Sequence, residues 1–171
     1  MKKMQSLTTQ RLVRTAAVAA VYAVLTLALA PFSYGNLQFR VSEMMVLLAF
    51  FDPFYIGGLT LGCLVANMLG PNGPMDIIFG TLATFISVVA IYWTSKIFKS
   101  NKLGLFVASI WPTLFNAIII GFMLHKLYAL PLFLTMLEVA IGEFVVVSII
   151  GIPVFLLIMK RYKHLIKLPN L

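Results

Sequence analysis

Residues 44–69 read MMVLLAFFDPFYIGGLTLGCLVANML, an apolar run that only Asp52 and Pro53 interrupt. The run is longer than the roughly 20 apolar residues that cross a bilayer once. It therefore fits either one long span or two short spans that meet at Asp52. Because Asp-Pro is a typical helix boundary and turn, the sequence favours two spans.

The chain as a whole has the composition of a membrane protein. Of its 171 residues, 61% are hydrophobic and 11% are charged, whereas about a quarter of a soluble domain is charged. A water-soluble fold of this size could not bury so much apolar surface. Further apolar segments long enough to cross a bilayer cover residues 12–30, 75–95, 103–124 and 130–159.

Basic residues decide the number of spans, because they concentrate on the cytoplasmic side of membrane proteins. A turn at Asp52 gives six spans and leaves only Arg40 and Lys126 outside. The remaining basic residues then lie inside, and among them are Lys2, Lys3, Arg11, Arg14, Lys96, Lys99, Lys102, Lys160, Arg161, Lys163 and Lys167. We therefore predict an all-α integral membrane protein with both termini cytoplasmic. Its single domain, residues 1–171, would have spans at 12–30, 38–51, 54–69, 75–95, 103–124 and 130–159.

Two other interpretations are less favoured. A net charge of +8 would indicate nucleic acid in a soluble protein, but these basic residues flank apolar segments, so we expect no nucleic-acid partner. The basic C-terminal tail would contact anionic membrane lipid instead. The first segment also resembles a signal peptide, since residues 28–30 read ALA. Pro31, directly after that site, would hinder cleavage.

The acidic residues are the main functional candidates, because an ionisable group at the centre of a membrane helix costs about 2.5–3.5 kcal/mol. Asp52 belongs to the inner turn. The other acids lie in the outer half or near the midplane, and they are Glu43, Asp76, Glu138 and Glu143. At 1.5 Å per residue, Glu138 would lie about 12 Å deep and Glu143 about 20 Å deep.

Amide and aromatic side chains lie on the same side of the membrane. Asn67 is near the outer mouth, and Asn116 and Trp111 approach the depth of the acids from the fifth segment. Together they predict an outward-facing pocket with carboxylates, amides and an aromatic wall. A ligand with N–H donors, with or without a positive charge, would suit it.

Each candidate also has a purely structural interpretation. Arg40 and Glu43 are three residues apart, a spacing that allows an ion pair along one helix face. Asp76 at a helix start would be favoured by the helix dipole alone. Glu138 and Glu143 are about 140° apart around a helix, so both cannot point straight into one pocket.

Other features limit the chemistry. The sequence contains no GxxxxGK[ST], HExxH or GxSxG motif. Its one cysteine, Cys63, lies in an apolar run and allows neither an intrachain disulfide nor a metal cluster. We therefore expect no enzymatic activity, no cofactor and no metal.

A row of small residues marks the first segment at the spacing of one helix face: Ala16, Ala19, Ala20 and Ala23. Small residues let two helices approach closely. The row predicts either packing within the chain or a docking face for another membrane protein.

Three stretches are specific enough to indicate a family: AAVAAVYAVLTLALAP (residues 16–31), FSYGNLQFRVSEMMVLLAFFDP (32–53) and IGGLTLGCLVANMLGPNGPMDIIFGTLAT (56–84). They resemble the QueT family of substrate-binding (S) subunits of energy-coupling factor (ECF) transporters. The resemblance covers residues 14–85. The remaining three-fifths or so of the chain resembles the family in the number of spans and in the placement of Glu138 and Glu143.

The resemblance implies six helices and a substrate bound beneath the first extracellular loop, residues 31–38. It implies that the alanine row docks on a transmembrane coupling subunit, and that two ATP-binding cassette (ABC) ATPases complete the importer in the bacterial inner membrane. The implied substrate is a queuosine precursor, a 7-deazaguanine with an aminomethyl group. Such subunits are also thought to topple in the membrane during transport.

The residues that would form this substrate site are Tyr34, Gln38, Arg40, Glu43, Asn67, Asp76, Trp111, Asn116, Glu138 and Glu143. Glu138 and Glu143 would be the principal acids, with one facing the guanine-like N–H edge and the other facing the cation. Trp111 or Tyr34 would stack on the ring. The alternative function is an autonomous proton-coupled transporter with Glu138 or Glu143 as proton carrier. The small size and lack of internal repeats disfavour it.

Overall fold

The computed structural model describes residues 2–35, 37–98 and 101–162. Every regular element in those ranges is a helix, which confirms the predicted all-helical class. In chain order the elements are α1 (Lys2–Ala28), α2 (Ala30–Ser33), a 3₁₀ helix (Val41–Phe50), α3 (Phe54–Met68), α4 (Gly73–Ile97), α5 (Lys102–Tyr128), α6 (Leu132–Glu143), a π-helical segment (Phe144–Gly151) and α7 (Ile152–Tyr162). Of the basic residues assigned to the cytoplasm, Lys99, Lys163 and Lys167 lie outside the described residues.

Four of the described helical stretches are long and apolar enough to cross a membrane: Thr9–Ala28, Gly73–Ile97, Lys102–Tyr128 and Leu132–Ile158. Large apolar side chains are exposed along them, for example Val24, Ile78 and Leu137. Such a surface would drive aggregation in water. Against lipid tails it is the expected surface of a multi-pass membrane protein.

The apolar run 44–69 divides at Asp52, as the sequence predicts. The 3₁₀ helix ends at Phe50 and α3 begins at Phe54. Asp52 Oδ1 accepts a hydrogen bond of 2.9 Å from the Phe54 N–H, one of the backbone donors that a helix start leaves unpaired. A 3₁₀ helix rises about 2.0 Å per residue. Ten residues therefore cover about 20 Å, where an α-helix would cover about 15 Å.

The 3₁₀ helix occupies the interior of the bundle. It contacts α1, α3, α4, α5 and the π-helical segment. Its buried side chains are Ser42, Glu43, Val46, Leu47, Ala49 and Phe50. Arg40 directly precedes this helix, so two of the charged candidates sit where water and lipid are both excluded.

Two glycines bring α3 unusually close to α1. A Cβ placed on Gly58 would lie 2.7 Å from the Thr15 carbonyl oxygen, and one on Gly62 would lie 2.8 Å from the Ala19 carbonyl oxygen. Only a residue without a side chain fits at either position. Gly58 and Gly62 therefore form a small-xxx-small contact within the chain.

This contact divides the alanine row of α1. Ala19 and Ala23 are buried, with exposed fractions of 7% and 6%. Ala16 and Ala20 are exposed. Half of the row is therefore occupied by packing within the chain, and docking of the row on another membrane protein stays a prediction.

We expect Gly62→Ala to lower the melting temperature of the purified protein, because the added methyl group would push α1 away from α3. Overpacking of this kind costs about 1–3 kcal/mol. The matched control is Gly57→Ala, where an added Cβ meets nothing within 4 Å. It should melt at or slightly above the wild-type temperature, because alanine favours a helix over glycine. Equal melting temperatures for the two variants would contradict the close packing.

Candidate functional site

A buried ion pair joins the start of the 3₁₀ helix to the first turn of α4. Arg40 Nη2 lies 3.6 Å from Asp76 Oδ2, and the two side chains are 5% and 0% exposed. The same nitrogen donates to Gln38 Oε1 at 3.4 Å. The guanidinium lies over the Tyr34 ring, 5.2 Å from its centroid. Asp76 is thus more than a charge at a helix start, because it balances a buried cation.

Glu43 is held by hydroxyl groups from two other helices. The Tyr22 hydroxyl, on α1, donates to Glu43 Oε1. Thr84, on α4, donates to the same oxygen at 3.1 Å. The ion pair with Glu43 that the spacing allowed is therefore replaced by the pair of Arg40 with Asp76.

Asn67 and Cys63, one turn apart on α3, lie between the Arg40–Asp76 pair and Glu43. Asn67 Nδ2 donates to the Asp76 backbone oxygen at 3.0 Å and to Cys63 Sγ at 3.3 Å. A Cβ on Gly80 would lie 2.6 Å from Asn67 Nδ2 and would also collide with Asp76 Oδ1. Gly80 therefore provides the space in which the two polar side chains meet.

Buried polar atoms without partners concentrate on the predicted site residues. Among the described residues, eleven buried side-chain nitrogen and oxygen atoms lack a hydrogen-bond partner, and seven of these belong to the predicted site. The seven are Gln38 Nε2, Arg40 Nε, Asn116 Nδ2, Glu43 Oε2, Asn67 Oδ1, Asp76 Oδ1 and Glu143 Oε2. Each buried polar atom without a partner lowers the free energy of unfolding by about 1–3 kcal/mol, and native proteins contain few such atoms. The set contains donors and acceptors, so it suits a small ligand that offers both.

The two acids of α6 differ in their surroundings. Glu143 is 3% exposed, and it follows Gly142, whose backbone is packed against Leu37 next to Gln38. Glu138 is half-buried, and its carboxylate makes no hydrogen bond or ion pair with any described residue. The structure thus brings Glu143 to the cluster but not Glu138, which was expected to be a principal acid.

Trp111, which the sequence predicted to form an aromatic wall, makes its contacts away from the Arg40–Asp76 pair. Its indole N–H donates to Thr94 Oγ1 at 2.8 Å, near the Lys96 end of α4, and its ring stacks on Phe115 at 5.6 Å. Tyr34 is the aromatic residue whose ring lies against Arg40, and its hydroxyl donates to the Ala66 carbonyl at 2.6 Å. Asn116 is buried on α5, a helix that also contacts the 3₁₀ helix.

Comparison with known proteins gives a match to the family model of QueT transporters over residues 12–160. The chain belongs to the QueT transporter family. A similar protein is the "Queuosine precursor transporter QueT" of Lactococcus lactis subsp. cremoris (strain MG1363), which is 34% identical over 149 residues. The match covers 80% of this chain and 85% of that relative. No solved structure matches the chain.

In this QueT family member, polar residues that the sequence does not single out also hydrogen-bond within the cluster or beside it. They are Tyr22, Thr84 and Tyr128, whereas Asn72 is a polar residue that the sequence also places near the outer mouth. The Tyr128 hydroxyl donates to Asn72 Oδ1 at 2.8 Å, and Asn72 Nδ2 donates to Asp76 Oδ2 at 3.4 Å. Thr84 is two helical turns after Asp76, with Gly80 between them. That four-residue spacing along α4 was the available signal for Thr84, since residues four apart share a helix face.

We expect the substitutions Arg40→Met and Asp76→Asn each to lower the melting temperature, because either leaves one buried charge unpaired. Removal of one member of a buried pair costs about 3–5 kcal/mol. The melting temperature of the double variant should fall by clearly less than the sum of the two single decreases. The control cycle combines Arg40→Met with Glu138→Gln and should be additive. Additive losses in the first cycle would mean that Arg40 and Asp76 do not interact.

Proposed function

We propose that this chain is the substrate-binding subunit of an ECF-type importer, and that it binds 7-aminomethyl-7-deazaguanine from outside the bacterial inner membrane. The supporting observation is the concentration of unpartnered buried donors and acceptors around Arg40 and Asp76. Membership of the QueT family and the name of the Lactococcus relative, a queuosine precursor transporter, support the same ligand class.

The chemistry of the cluster is complementary to a guanine-like ring. Such a ring carries N–H donors and a carbonyl acceptor on one edge. The unpartnered oxygens of Asp76 and Asn67 would accept from the N–H groups, and Gln38 Nε2 would donate to the carbonyl. The Tyr34 ring would stack on the plane of the base. Binding of the ligand would give these buried atoms the hydrogen-bond partners that they lack within the protein.

The same proposal implies how the chain is oriented in the membrane. The 3₁₀ helix and α3 would each cross the membrane as short spans, which gives six crossings in a single domain with both termini in the cytoplasm. The turn at Asp52 supports this arrangement, because it divides the second apolar run into two helices. Arg11, Lys102 and Lys160 would then lie on one side, as the positive-inside rule requires.

Energy for uptake would come from partners. The sequence carries no phosphate-binding loop, so a transmembrane coupling subunit and two ABC ATPases would supply ATP hydrolysis. Ala16 and Ala20 are exposed on α1 and lack bulk, which suits close docking of a helix from the coupling subunit. Ala19 and Ala23 would contribute indirectly by holding α1 against α3.

A second candidate function is an autonomous proton-coupled transporter. The burial of Glu143 and its unpartnered Oε2 favour this possibility, because buried carboxylates carry protons in many transporters. The two functions differ in what drives uptake, so reconstitution separates them.

For ligand binding, we expect the purified chain to bind 7-aminomethyl-7-deazaguanine in calorimetry. Gly80→Ala should weaken binding by about tenfold or more, because the methyl group displaces Asn67 and Asp76, and about 1.4 kcal/mol corresponds to tenfold. Gly57→Ala should bind like the wild type. In proteoliposomes, uptake should require the coupling subunit and ATP. Uptake by the chain alone under a proton gradient would favour the secondary transporter, and absence of binding would refute both the ligand and the site.

For partner docking, we expect Ala20→Leu to reduce recovery of the coupling subunit in co-purification while ligand affinity stays unchanged. The added side chain would hold the partner helix away from α1. Ala28→Leu adds the same bulk at another exposed position, about 12 Å along the helix, and serves as the control. Equal recovery with both variants would remove Ala20 from the interface.

A further inference from the structure

The two oxygens of the Asp76 carboxylate have different surroundings. Arg40 Nη2 lies 3.6 Å from Oδ2, and Asn72 Nδ2 donates to the same oxygen at 3.4 Å. Oδ1 has no hydrogen-bond partner among the described residues, although the Asp76 side chain is 0% exposed. Oδ1 lies beside Gly80 and Asn67, and the side-chain oxygen of Asn67 also lacks a partner. The protein therefore binds one oxygen of Asp76 and leaves the other available.

Asn72 does not do what an asparagine at its position usually does. It is the N-cap residue of α4, and an asparagine there typically accepts a hydrogen bond from a backbone N–H of the first turn. The Asn72 side chain forms no such bond. Its Oδ1 accepts from the Tyr128 hydroxyl at 2.8 Å, and its Nδ2 donates to Asp76. Asn72 is 5% exposed, so its amide is a buried bridge between these two side chains.

The Tyr128 hydroxyl determines where the Asn72 amide points. A carboxylate only accepts hydrogen bonds, so the amide must face Asp76 with its NH₂ group and must turn its oxygen the other way. Tyr128 supplies the donor for that oxygen. Without the hydroxyl, the Asn72 oxygen would be free to turn to the unpaired N–H groups at the start of α4. Nδ2 would then move away from Asp76.

The end of α5 fixes the position of Tyr128. Helix α5 ends at this residue, and Ala129 follows in the left-handed conformation with φ of 54°. His125 Nδ1 donates to the Leu130 carbonyl oxygen, which closes the short connection to α6. An exposed tyrosine at a helix end is also typical of the membrane interface. That role alone would require no hydrogen bond to a buried amide 56 residues away in sequence.

We propose that Tyr128 is a positioning residue for the ligand site, because through Asn72 it holds the Asp76 carboxylate with Oδ1 available to an N–H group of the ligand. This inference rests on the proposed function and adds a residue that acts without touching the ligand. The chain of hydrogen bonds runs from the half-exposed end of α5 to a fully buried carboxylate. It therefore connects the α5–α6 turn to the affinity of the site.

The effect of the hydroxyl should appear in ligand affinity and not in stability. Tyr128 is 51% exposed, so water can replace its hydrogen bond in the folded protein at little net cost. Water cannot in the same way restore the direction of the Asn72 amide, which is buried beside Asp76. A tyrosine with a purely structural role would affect stability at least as much as affinity.

The first test is calorimetry of the purified full chain with 7-aminomethyl-7-deazaguanine, together with thermal melting of the ligand-free protein. Tyr128→Phe removes only the hydroxyl and should weaken binding by about three- to tenfold, the change that corresponds to one hydrogen bond. The melting temperature should stay within about 2 °C of the wild type. The matched control is Tyr92→Phe, which removes a hydroxyl about 24 Å along α4 from Asp76 and should retain wild-type affinity.

The second test is a double-mutant cycle in ligand affinity. Asn72→Ala removes the bridging amide and should weaken binding at least as much as Tyr128→Phe does. It should not remove a helix cap, because the Asn72 side chain forms none. In the Asn72→Ala background, Tyr128→Phe should have no further effect, because the hydroxyl can no longer act on Asp76.

The outcomes separate this inference from the proposed function. Wild-type affinity in Tyr128→Phe would overturn the inference and leave the function intact, whether or not the melting temperature changed. Equal fold losses with and without Asn72 would overturn it too, since Tyr128 would then act independently of the amide. No binding by the wild type would refute the proposed function itself. If Asn72→Ala did not fold, the comparison of Tyr128→Phe with Tyr92→Phe would still decide the question.

Discussion

The ion pair of Arg40 and Asp76 connects parts of the chain that are far apart in sequence. Arg40 precedes the central 3₁₀ helix, and Asp76 lies in the first turn of α4. Around the pair gather Tyr34, Gln38 and Asn67, each through a contact with one of the two charges or with their backbone. A buried pair of this kind contributes little net stability. Its effect is to fix where the polar side chains of several helices meet.

The cluster is held in place by tight helix packing and is itself incompletely satisfied. Gly58, Gly62 and Gly80 allow backbones and polar groups to approach within distances that a side chain would prevent. Buried polar atoms without partners lower the stability of a folded protein. A ligand that satisfied them would stabilise the folded state in proportion to the logarithm of its concentration over the dissociation constant. Tight packing and unsatisfied polar atoms are together what the proposed ligand site would require.

Much of the fold could be predicted from the sequence, because hydrophobic length and the Asp52 turn depend on local chemistry. The site was predicted only in part. Depth along a helix follows from residue counting, but the direction of a side chain depends on packing, so Glu138 and Trp111 were placed in a cluster that they do not join. The 3₁₀ and π geometries likewise depend on tertiary contacts. Tyr22 was missed because a tyrosine in an apolar helix gives no signal of its carboxylate partner on another helix.

The position of Cys63 has a practical consequence. It is the one cysteine in the sequence, and its thiol is completely buried between Asn67, Thr84 and the Gly80 carbonyl. A cysteine introduced on the surface would therefore be the reactive thiol for a fluorophore, a spin label or a crosslinker, without replacement of the native residue. The orientation of the helices and any tilt of the whole protein can thus be followed with the native site chemistry unchanged.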